Sequence, residues 1–236
     1  MDINYQFLEQ TFYLVLAAVP TTLNLTVTSL LLSLPLAFFM ALVRLRRTRY
    51  VSGFVGAYIT LLRGTPIVLQ ILLIYSLLPS LLHALVGTLG WTINVFDWNP
   101  ILYAYLVFTL NTTALLAEVF RSALGSIERG QMEAALCAGL TKVQAYVHIL
   151  IPQALVTALP NICNVTVNLI KGTSLAFLMT VKDMTAVAKV AASYGYNYIE
   201  AYLDVFAGYI IICSIVQVLF VFAESHVGRF RLIKQK

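Results

Sequence analysis

Charged residues are scarce in this sequence. Asp, Glu, Lys and Arg make up 11% of its 236 residues and 60% are hydrophobic, whereas ordinary soluble domains are about 25% charged. The mean hydropathy is +0.87. So few charges cannot cover the surface of a water-soluble fold of this size, which excludes a soluble globular enzyme, and the hydrophobic content excludes a disordered chain. We therefore expect lipid to be the main solvent of the protein.

Cysteine is also scarce. The three cysteines, Cys137, Cys163 and Cys213, are widely spaced and odd in number, which predicts free thiols and gives neither a disulfide framework nor a zinc-ligand spacing. The first ten residues contain no Lys or Arg. Because a secretory signal begins with a basic region, we expect the first apolar segment to be kept in the mature protein.

Five long stretches carry no charge at all: 10–43, 64–96, 98–117, 143–170 and 205–223. A membrane helix needs about 20 apolar residues, and backbone in lipid must satisfy its own hydrogen bonds. The sequence therefore predicts an all-α polytopic membrane protein, with helices at 18–43, 65–86, 100–121, 153–175 and 203–224. These form one membrane domain over 18–225, between an extracytoplasmic segment 1–17 and a basic tail 226–236.

The basic residues lie on alternate sides of these predicted helices. They follow the first helix, separate the third from the fourth and follow the fifth: Arg44, Arg46, Arg47, Arg49; Arg121, Arg129, Lys142; Arg229, Arg231, Lys234, Lys236. The opposite segments contain Asp2, Glu9, Asp97, Glu200 and Asp204 against Lys182 and Lys189. The positive-inside rule then predicts an outer N-terminus and a cytoplasmic C-terminus. Arg63, just before the second helix, is expected on the cytoplasmic side.

Residues 122–152 form the longest predicted cytoplasmic segment. Good helix formers fill 131–138, and Gly139 can adopt the left-handed conformation that ends a helix. Thr141 and Gln144 have the spacing of a capping box that opens a second helix, and Pro152 marks the point where it passes into the fourth membrane helix. The segment is either a structured connector or a docking element, because a small helix with one fixed charge can enter a groove of another protein.

Motifs in this segment resemble the EAA signature of ABC importer permeases. Glu133-Ala134-Ala135, Gly139 and Ile149-Leu150-Ile151-Pro152 match its spacing, with Ile151 in place of leucine. Arg63-Gly64-Thr65-Pro66, followed by Gln70, resembles a motif of the polar amino-acid branch. The stretch 169–175 resembles another motif of that branch, except that Gly172 replaces its aspartate. The resemblance covers about residues 18–225.

The resemblance implies the permease fold of a type I ABC importer in a bacterial cell membrane. It implies three kinds of partner: a second permease subunit, identical or homologous; a cytoplasmic ABC ATPase dimer; and an extracytoplasmic amino-acid-binding protein. The EAA residues Glu133, Ala134, Ala135 and Gly139 would contact the ATPase. The sequence has no phosphate-binding motif of the form G-x-x-x-x-G-K-[ST]. We therefore expect the chain to be a non-enzymatic subunit without cofactor or metal, with ATP and magnesium bound by the ATPase.

Polar residues of the fourth predicted helix fall on one face. At 100° per residue they lie within an arc of about 80°, with Thr166 on the opposite face: Thr157, Asn161, Asn164, Asn168 and Lys171. Such residues in a membrane helix usually face a water-filled cavity or a partner. We interpret them as the substrate pathway. The alternative is hydrogen bonding between helices, which side-chain amides do well in membranes.

Two other predicted helices also contain polar residues. In the third, Asn111 and Glu118 share a face and are candidate pathway residues, although Glu118 is better explained by an ion pair with Arg121 at i,i+3 spacing. In the first, small hydroxyl residues share a face and predict close helix packing: Thr22, Thr26, Ser29 and Ser33.

The function predicted from these features is ATP-driven uptake of a polar amino acid. A single lysine in the polar face favours a carboxylate and a neutral or zwitterionic solute, such as cystine or glutamine. The alternative is a stand-alone secondary transporter or channel, which would work on an ion gradient without ATP. No internal repeat of the kind common in secondary transporters is visible. An intramembrane enzyme lacks a supporting motif, and a structural scaffold leaves the polar face unexplained.

Overall fold

The computed structural model describes residues 3–46 and 48–233, with side chains described up to residue 226. Asp2, Arg47, Lys234 and Lys236 lie outside the described residues, as do the side chains of Arg229 and Arg231. Within the described part the regular structure is helical: α1 (Tyr5–Arg46), α2 (Val51–Gly64), α3 (Ile67–Thr88), α4 (Pro100–Gly125), α5 (Arg129–Cys137), α6 (Lys142–Ala145), α7 (Ile151–Gly172), α8 (Met184–Ser193) and α9 (Tyr198–Ile233). Short 3₁₀ turns cover Val95–Asp97 and Thr173–Met179.

Five of the described helical segments are long and apolar enough to cross a membrane, which confirms the predicted number. They are α1, α3, α4, the continuous run Lys142–Met179 that contains α7, and α9. The first begins at Tyr5 instead of 18, because Asn4 caps it: its Oδ1 accepts the backbone N–H of Phe7 at 3.0 Å. The backbone N–H of Asn4 also donates to Glu200 Oε1 at 2.9 Å, which joins the starts of α1 and α9.

The second predicted span, 65–86, corresponds to α3, Ile67–Thr88. A separate helix, α2, precedes α3, and the two are divided at Thr65 and Pro66, both in extended backbone conformations. The hydroxyl of Tyr58 on α2 donates to the carbonyl of Leu110 on α4 at 2.8 Å. The C-terminal end of α2 therefore runs beside the middle of α4. Arg63 lies beside this break, in the last turn of α2.

The predicted packing role of the α1 hydroxyl face is confirmed. Thr22, Thr26, Ser29 and Ser33 are all buried. The hydroxyls of Thr26 and Ser33 donate within α1, to the carbonyls of Thr22 at 2.9 Å and Leu30 at 3.0 Å. The hydroxyls of Thr22 and Ser29 are buried without a hydrogen-bond partner among the described residues. Small side chains let neighbouring helices approach closely, and α4 is the main neighbour of α1. On the same interface Phe38 and Phe120 meet edge to face at 5.6 Å.

The predicted helix–turn–helix is also present. Gly139 follows α5 with φ +83°, the left-handed conformation that ends the helix. Thr141 Oγ1 accepts the N–H of Gln144 at 3.3 Å, and Gln144 Oε1 accepts the N–H of Thr141 at 2.9 Å, which completes the capping box. A π-helical turn over Tyr146–Leu150 leads into α7. Pro152 lies in the first turn of α7, where its missing N–H costs least.

A buried carboxylate starts α8. Asp183 is fully buried, and its oxygens accept the backbone N–H groups of Thr185 at 3.1 Å and Ala186 at 2.9 Å. The hydroxyl of Tyr209 on α9 lies 3.3 Å from Asp183 Oδ2. Burial raises the pKa of the Asp183 carboxyl above its ordinary value, against the opposing effect of these hydrogen bonds. The cap therefore fixes α8 against α9.

Candidate functional site

Five polar residues of α7 point away from the core of the single chain. Thr157, Asn161, Asn164, Asn168 and Lys171, the α7 polar face, are exposed, whereas Thr166 on the opposite side is buried and donates to the carbonyl of Ile162 at 2.8 Å. The other sides of α7 pack on α4 and α9. The structure thus gathers the five predicted residues on one open surface about 20 Å long, at 1.5 Å per residue.

Within the described part of the chain, the side chains of Asn161, Asn164, Asn168 and Lys171 make no hydrogen bond. Thr157 donates to the carbonyl of Gln153 at 3.2 Å, inside its own helix. The alternative of hydrogen bonding between helices of one chain therefore does not explain the α7 polar face. Three amides and an ammonium facing lipid would be costly. Their partner must be water, a solute or a second subunit.

Lys171 lies at the end of α7, directly before Gly172. The backbone of Gly172 is helical, and a Cβ built on it would meet Phe108 Cε1 at 3.8 Å, an ordinary contact. An aspartate, the residue of the resembling motif, would therefore fit there without rearrangement. Its absence leaves the ammonium of Lys171 without a neighbouring acid in sequence.

Asn111 and Glu118, the other candidate pathway residues, both have partners in the chain. Glu118 forms the predicted ion pair with Arg121, whose Nε donates to Glu118 Oε1 at 3.0 Å. The charges of Arg44 and Arg63 also act on this carboxylate, so a single acid lies among three arginines. Asn111 Nδ2 donates to Gln70 Oε1 at 3.0 Å.

The buried position of Gln70 and its hydrogen bonds were not predicted from the sequence. Gln70 is 7% exposed, and its Nε2 lies 2.8 Å from the carbonyl of Leu62 and 3.1 Å from that of Thr65. The signal that could have identified it is Pro66, because a proline has no N–H to donate to the carbonyl four residues earlier, and that carbonyl then needs another donor.

The α5–α6 hairpin presents a small apolar surface. Glu133 and Ala134 are exposed on α5, and Gly139 is exposed at the turn. Ala135 is buried, so its methyl group packs inside the hairpin and cannot reach a partner. Leu136 and Val143 beside them are 39% and 70% exposed. An exposed apolar patch next to one fixed carboxylate has the character of a protein docking surface.

A family model described as "binding-protein-dependent transport system inner membrane component" matches residues 33–231. The chain belongs to this family. It is therefore the membrane permease of an ABC importer, as the EAA resemblance implies, and ATP is hydrolysed by a separate subunit.

Curated relatives agree over almost the whole chain. The chain is 35% identical to "Probable amino-acid permease protein YxeN" of Bacillus subtilis, over 94% of this chain and 96% of that protein. It is 33% identical to "L-cystine transport system permease protein TcyL" of the same organism, over 90% and 87%. It is 35% identical to "Octopine transport system permease protein OccM" of Rhizobium radiobacter, over 95% and 90%.

Solved structures show the same fold. "Crystal structure of an amino acid ABC transporter with histidines" superposes with a TM-score of 0.79 at 24% identity, covering 96% of this chain and all of that one. The inward-facing methionine transporter MetNI superposes with a TM-score of 0.70 at 18% identity, covering 91% and 96%. The predicted all-α importer permease fold is thereby confirmed.

Proposed function

We propose that this permease imports a polar amino acid, with the α7 polar face as part of the route. The observation that carries the proposal is the exposure of this face: a membrane helix presents three unpaired amides and an ammonium. An arriving amino acid brings a carboxylate that the Lys171 ammonium can bind. The cystine, octopine and amino-acid names of the relatives support this class of solute, and cystine or glutamine suits a route with one cation. Asn111 and Glu118, each held inside the chain, belong to the wall of the route.

The proposed assembly has two permease subunits, a cytoplasmic ABC ATPase dimer that binds ATP and magnesium, and an extracytoplasmic amino-acid-binding protein. The open α7 polar face supports a second permease subunit, identical or homologous, because lipid would not cover it. Glu133, Ala134 and Gly139 on the hairpin surface would contact the ATPase, with Ala135 holding that surface in shape. This chain itself would bind no cofactor.

Uptake by the reconstituted complex tests the function. Vesicles containing permease, ATPase and binding protein should accumulate radiolabelled cystine or glutamine only with ATP inside the compartment that holds the ATPase. An imposed ion gradient without ATP should give no uptake. Uptake driven by the gradient alone would instead establish the stand-alone secondary transporter.

Coupling through the hairpin is tested at Gly139. Gly139→Val places a β-branched residue at φ +83°, a conformation that costs such residues about 1–3 kcal/mol. The variant should insert and assemble but lose most solute-stimulated ATP hydrolysis. Gly125→Val is the matched control, since nothing lies within 4 Å of a Cβ at Gly125 and its φ is not positive. Normal transport by Gly139→Val would remove the hairpin from the ATPase contact.

We propose the orientation given by the basic residues, with the N-terminus outside and the hairpin in the cytoplasm. Thr92→Cys, in the loop between α3 and α4, should react with an impermeant thiol reagent on intact cells. Ser126→Cys, between α4 and α5, should react only after permeabilisation. The native Cys137, Cys163 and Cys213 are replaced first. The reverse labelling pattern would place the hairpin on the side away from the ATPase.

A further inference from the structure

The break between α2 and α3 has an identifiable chemical cause. In a continuous helix the carbonyl of Leu62 would accept the N–H of residue 66, but residue 66 is proline and has none. The carbonyl of Thr65 would accept the N–H of Leu69, which donates instead to Pro66 at 3.1 Å. The carbonyls of Leu62 and Thr65 are therefore among the backbone acceptors that the break leaves without helical partners.

One side chain satisfies both acceptors. Gln70, in the first turn of α3, places its Nε2 2.8 Å from the Leu62 carbonyl, 3.1 Å from the Thr65 carbonyl and 2.9 Å from Thr65 Oγ1. The amide of Gln70 therefore replaces the N–H that Pro66 lacks. This side-chain hydrogen bond connects α2 with α3 across the break, and it does not require the two to form one straight helix.

Asn111 decides which way the Gln70 amide faces. Its Nδ2 donates to Gln70 Oε1 at 3.0 Å, and an amide oxygen only accepts, so the Gln70 NH₂ group is left directed at the break. Asn111 lies near the middle of α4, inside the uncharged stretch 98–117. The break is therefore anchored to α4, the helix that also packs on α7.

The break is open on its other side. Arg63, Gly64, Thr65 and Pro66 are all exposed in the single chain. Exposed non-helical backbone at the start of a membrane span needs water or another protein as a hydrogen-bond partner, because lipid offers none. This face of the break therefore meets water, a second subunit or the route.

We propose that Gln70, oriented by Asn111, is the positioning residue of a hinge in the transport cycle. This rests on the transport function proposed above. In one state the Gln70 amide holds α2 and α3 at a defined angle. In another state its hydrogen bonds to the carbonyls of Leu62 and Thr65 exchange, so the angle between α2 and α3 changes while the backbone of each helix stays intact. Hinges at the ends of helices allow two helical segments to change their relative angle in this way.

The substitution Pro66→Ala distinguishes a hinge from a purely structural role of Gln70. Pro66→Ala returns an N–H at residue 66, so the Leu62 carbonyl regains a helical partner and the span can become continuous. The complex should assemble with unchanged or higher melting temperature, yet ATP-driven uptake should fall at least tenfold. Pro79→Ala, inside the continuous part of α3, is the matched control and should transport nearly normally.

The double variant completes the test. Gln70→Leu alone should lower both the melting temperature and uptake. Gln70→Leu combined with Pro66→Ala should recover part of the melting temperature, since the Leu62 carbonyl regains a donor while Asn111 still lacks its acceptor, but it should not recover uptake. Spin labels at Ser52→Cys on α2 and Ser80→Cys on α3 should report a distance that changes with ATP in the wild type and stays constant in Pro66→Ala.

Either of two results would overturn the hinge: full uptake by Pro66→Ala, or recovery of uptake together with stability in the double variant. Both would leave Gln70 as a structural hydrogen-bond donor. A wild-type complex without ATP-driven uptake would contradict the proposed function itself, so the two failures are distinguishable.

Discussion

Two membrane helices of this protein each carry a polar face, and the structure treats them in opposite ways. On α1 the hydroxyl face, Thr22, Thr26, Ser29 and Ser33, is buried against neighbouring helices. On α7 the polar face is exposed along its whole length. Both faces have helical spacing and, apart from Lys171, both lie in uncharged stretches. Spacing alone therefore does not separate packing from a route.

The chemistry of the side chains accounts for the difference. A serine or threonine hydroxyl can donate to a carbonyl of its own helix, as Thr26 does at 2.9 Å, and then behaves as a small packing residue. An asparagine amide has two donor hydrogens and an acceptor, and a lysine ammonium has three donor hydrogens. Neither can be satisfied inside one helix. These groups need a partner outside the helix, and on α7 the single chain does not supply it.

The largest expected effect is at the charged end of the α7 polar face. If Lys171 binds the solute carboxylate, Lys171→Gln removes a charge-assisted hydrogen bond worth about 1.5–3 kcal/mol, so uptake should fall by about ten- to a hundredfold. Lys171→Arg should keep most of the activity. Lys182→Gln, an exposed lysine outside the spans, is the control. Near-normal uptake by Lys171→Gln would mean that the Lys171 side chain only extends to the membrane–water interface and does not bind the solute.

An effect of intermediate size should distinguish the two faces, because a substitution on α1 should lower stability and one on α7 should lower uptake. Ser29 is 0% exposed, so Ser29→Leu overpacks the α1 interface and should cost about 1–3 kcal/mol of stability, seen as a lower melting temperature of the complex. Asn164→Leu, at an exposed position, should change stability by less than about 0.5 kcal/mol and slow uptake instead. Interchanged phenotypes would show that the route lies along α1.

The smallest effect compares two threonines with the same local bond. Thr26 and Thr157 each donate to the carbonyl four residues earlier, at 2.9 Å and 3.2 Å. Thr157→Val should reduce uptake by about two- to tenfold, as expected for one neutral hydrogen bond of about 0.5–1.5 kcal/mol. Thr26→Val should leave uptake unchanged. Equal uptake by the two variants would contradict the assignment of the α7 polar face to the route.

Much of the cytoplasmic hairpin could be predicted because its determinants are local. The left-handed Gly139 and the capping box of Thr141 with Gln144 depend on residues within three positions of each other, and both are present in the structure. The ion pair of Glu118 with Arg121 is local in the same sense. The burial of Ala135 could not be predicted, because it depends on how two helices of the hairpin meet.

The break between α2 and α3 could not be predicted from local sequence signals. Uncharged residues continue from 64 to 96, so hydropathy predicted the span of α3 but not the separate helix α2 that precedes it. The motif containing Pro66 and Gln70 was visible, but its meaning depends on Asn111, 41 residues beyond Gln70. A contact over that distance is fixed by the packing of α3 on α4.

By itself, the sequence determined that this chain is an α-helical membrane permease with five spans and an EAA hairpin. Hydropathy, charge and short motifs are sufficient for that, because lipid allows few backbone structures and the hairpin signals are local. Only the tertiary structure decided which polar face is buried and which is exposed. It also decided that the side chain of Gln70 bridges the break between α2 and α3. Those outcomes depend on which helices are neighbours, and helical spacing is the same on a packed face and on an open one.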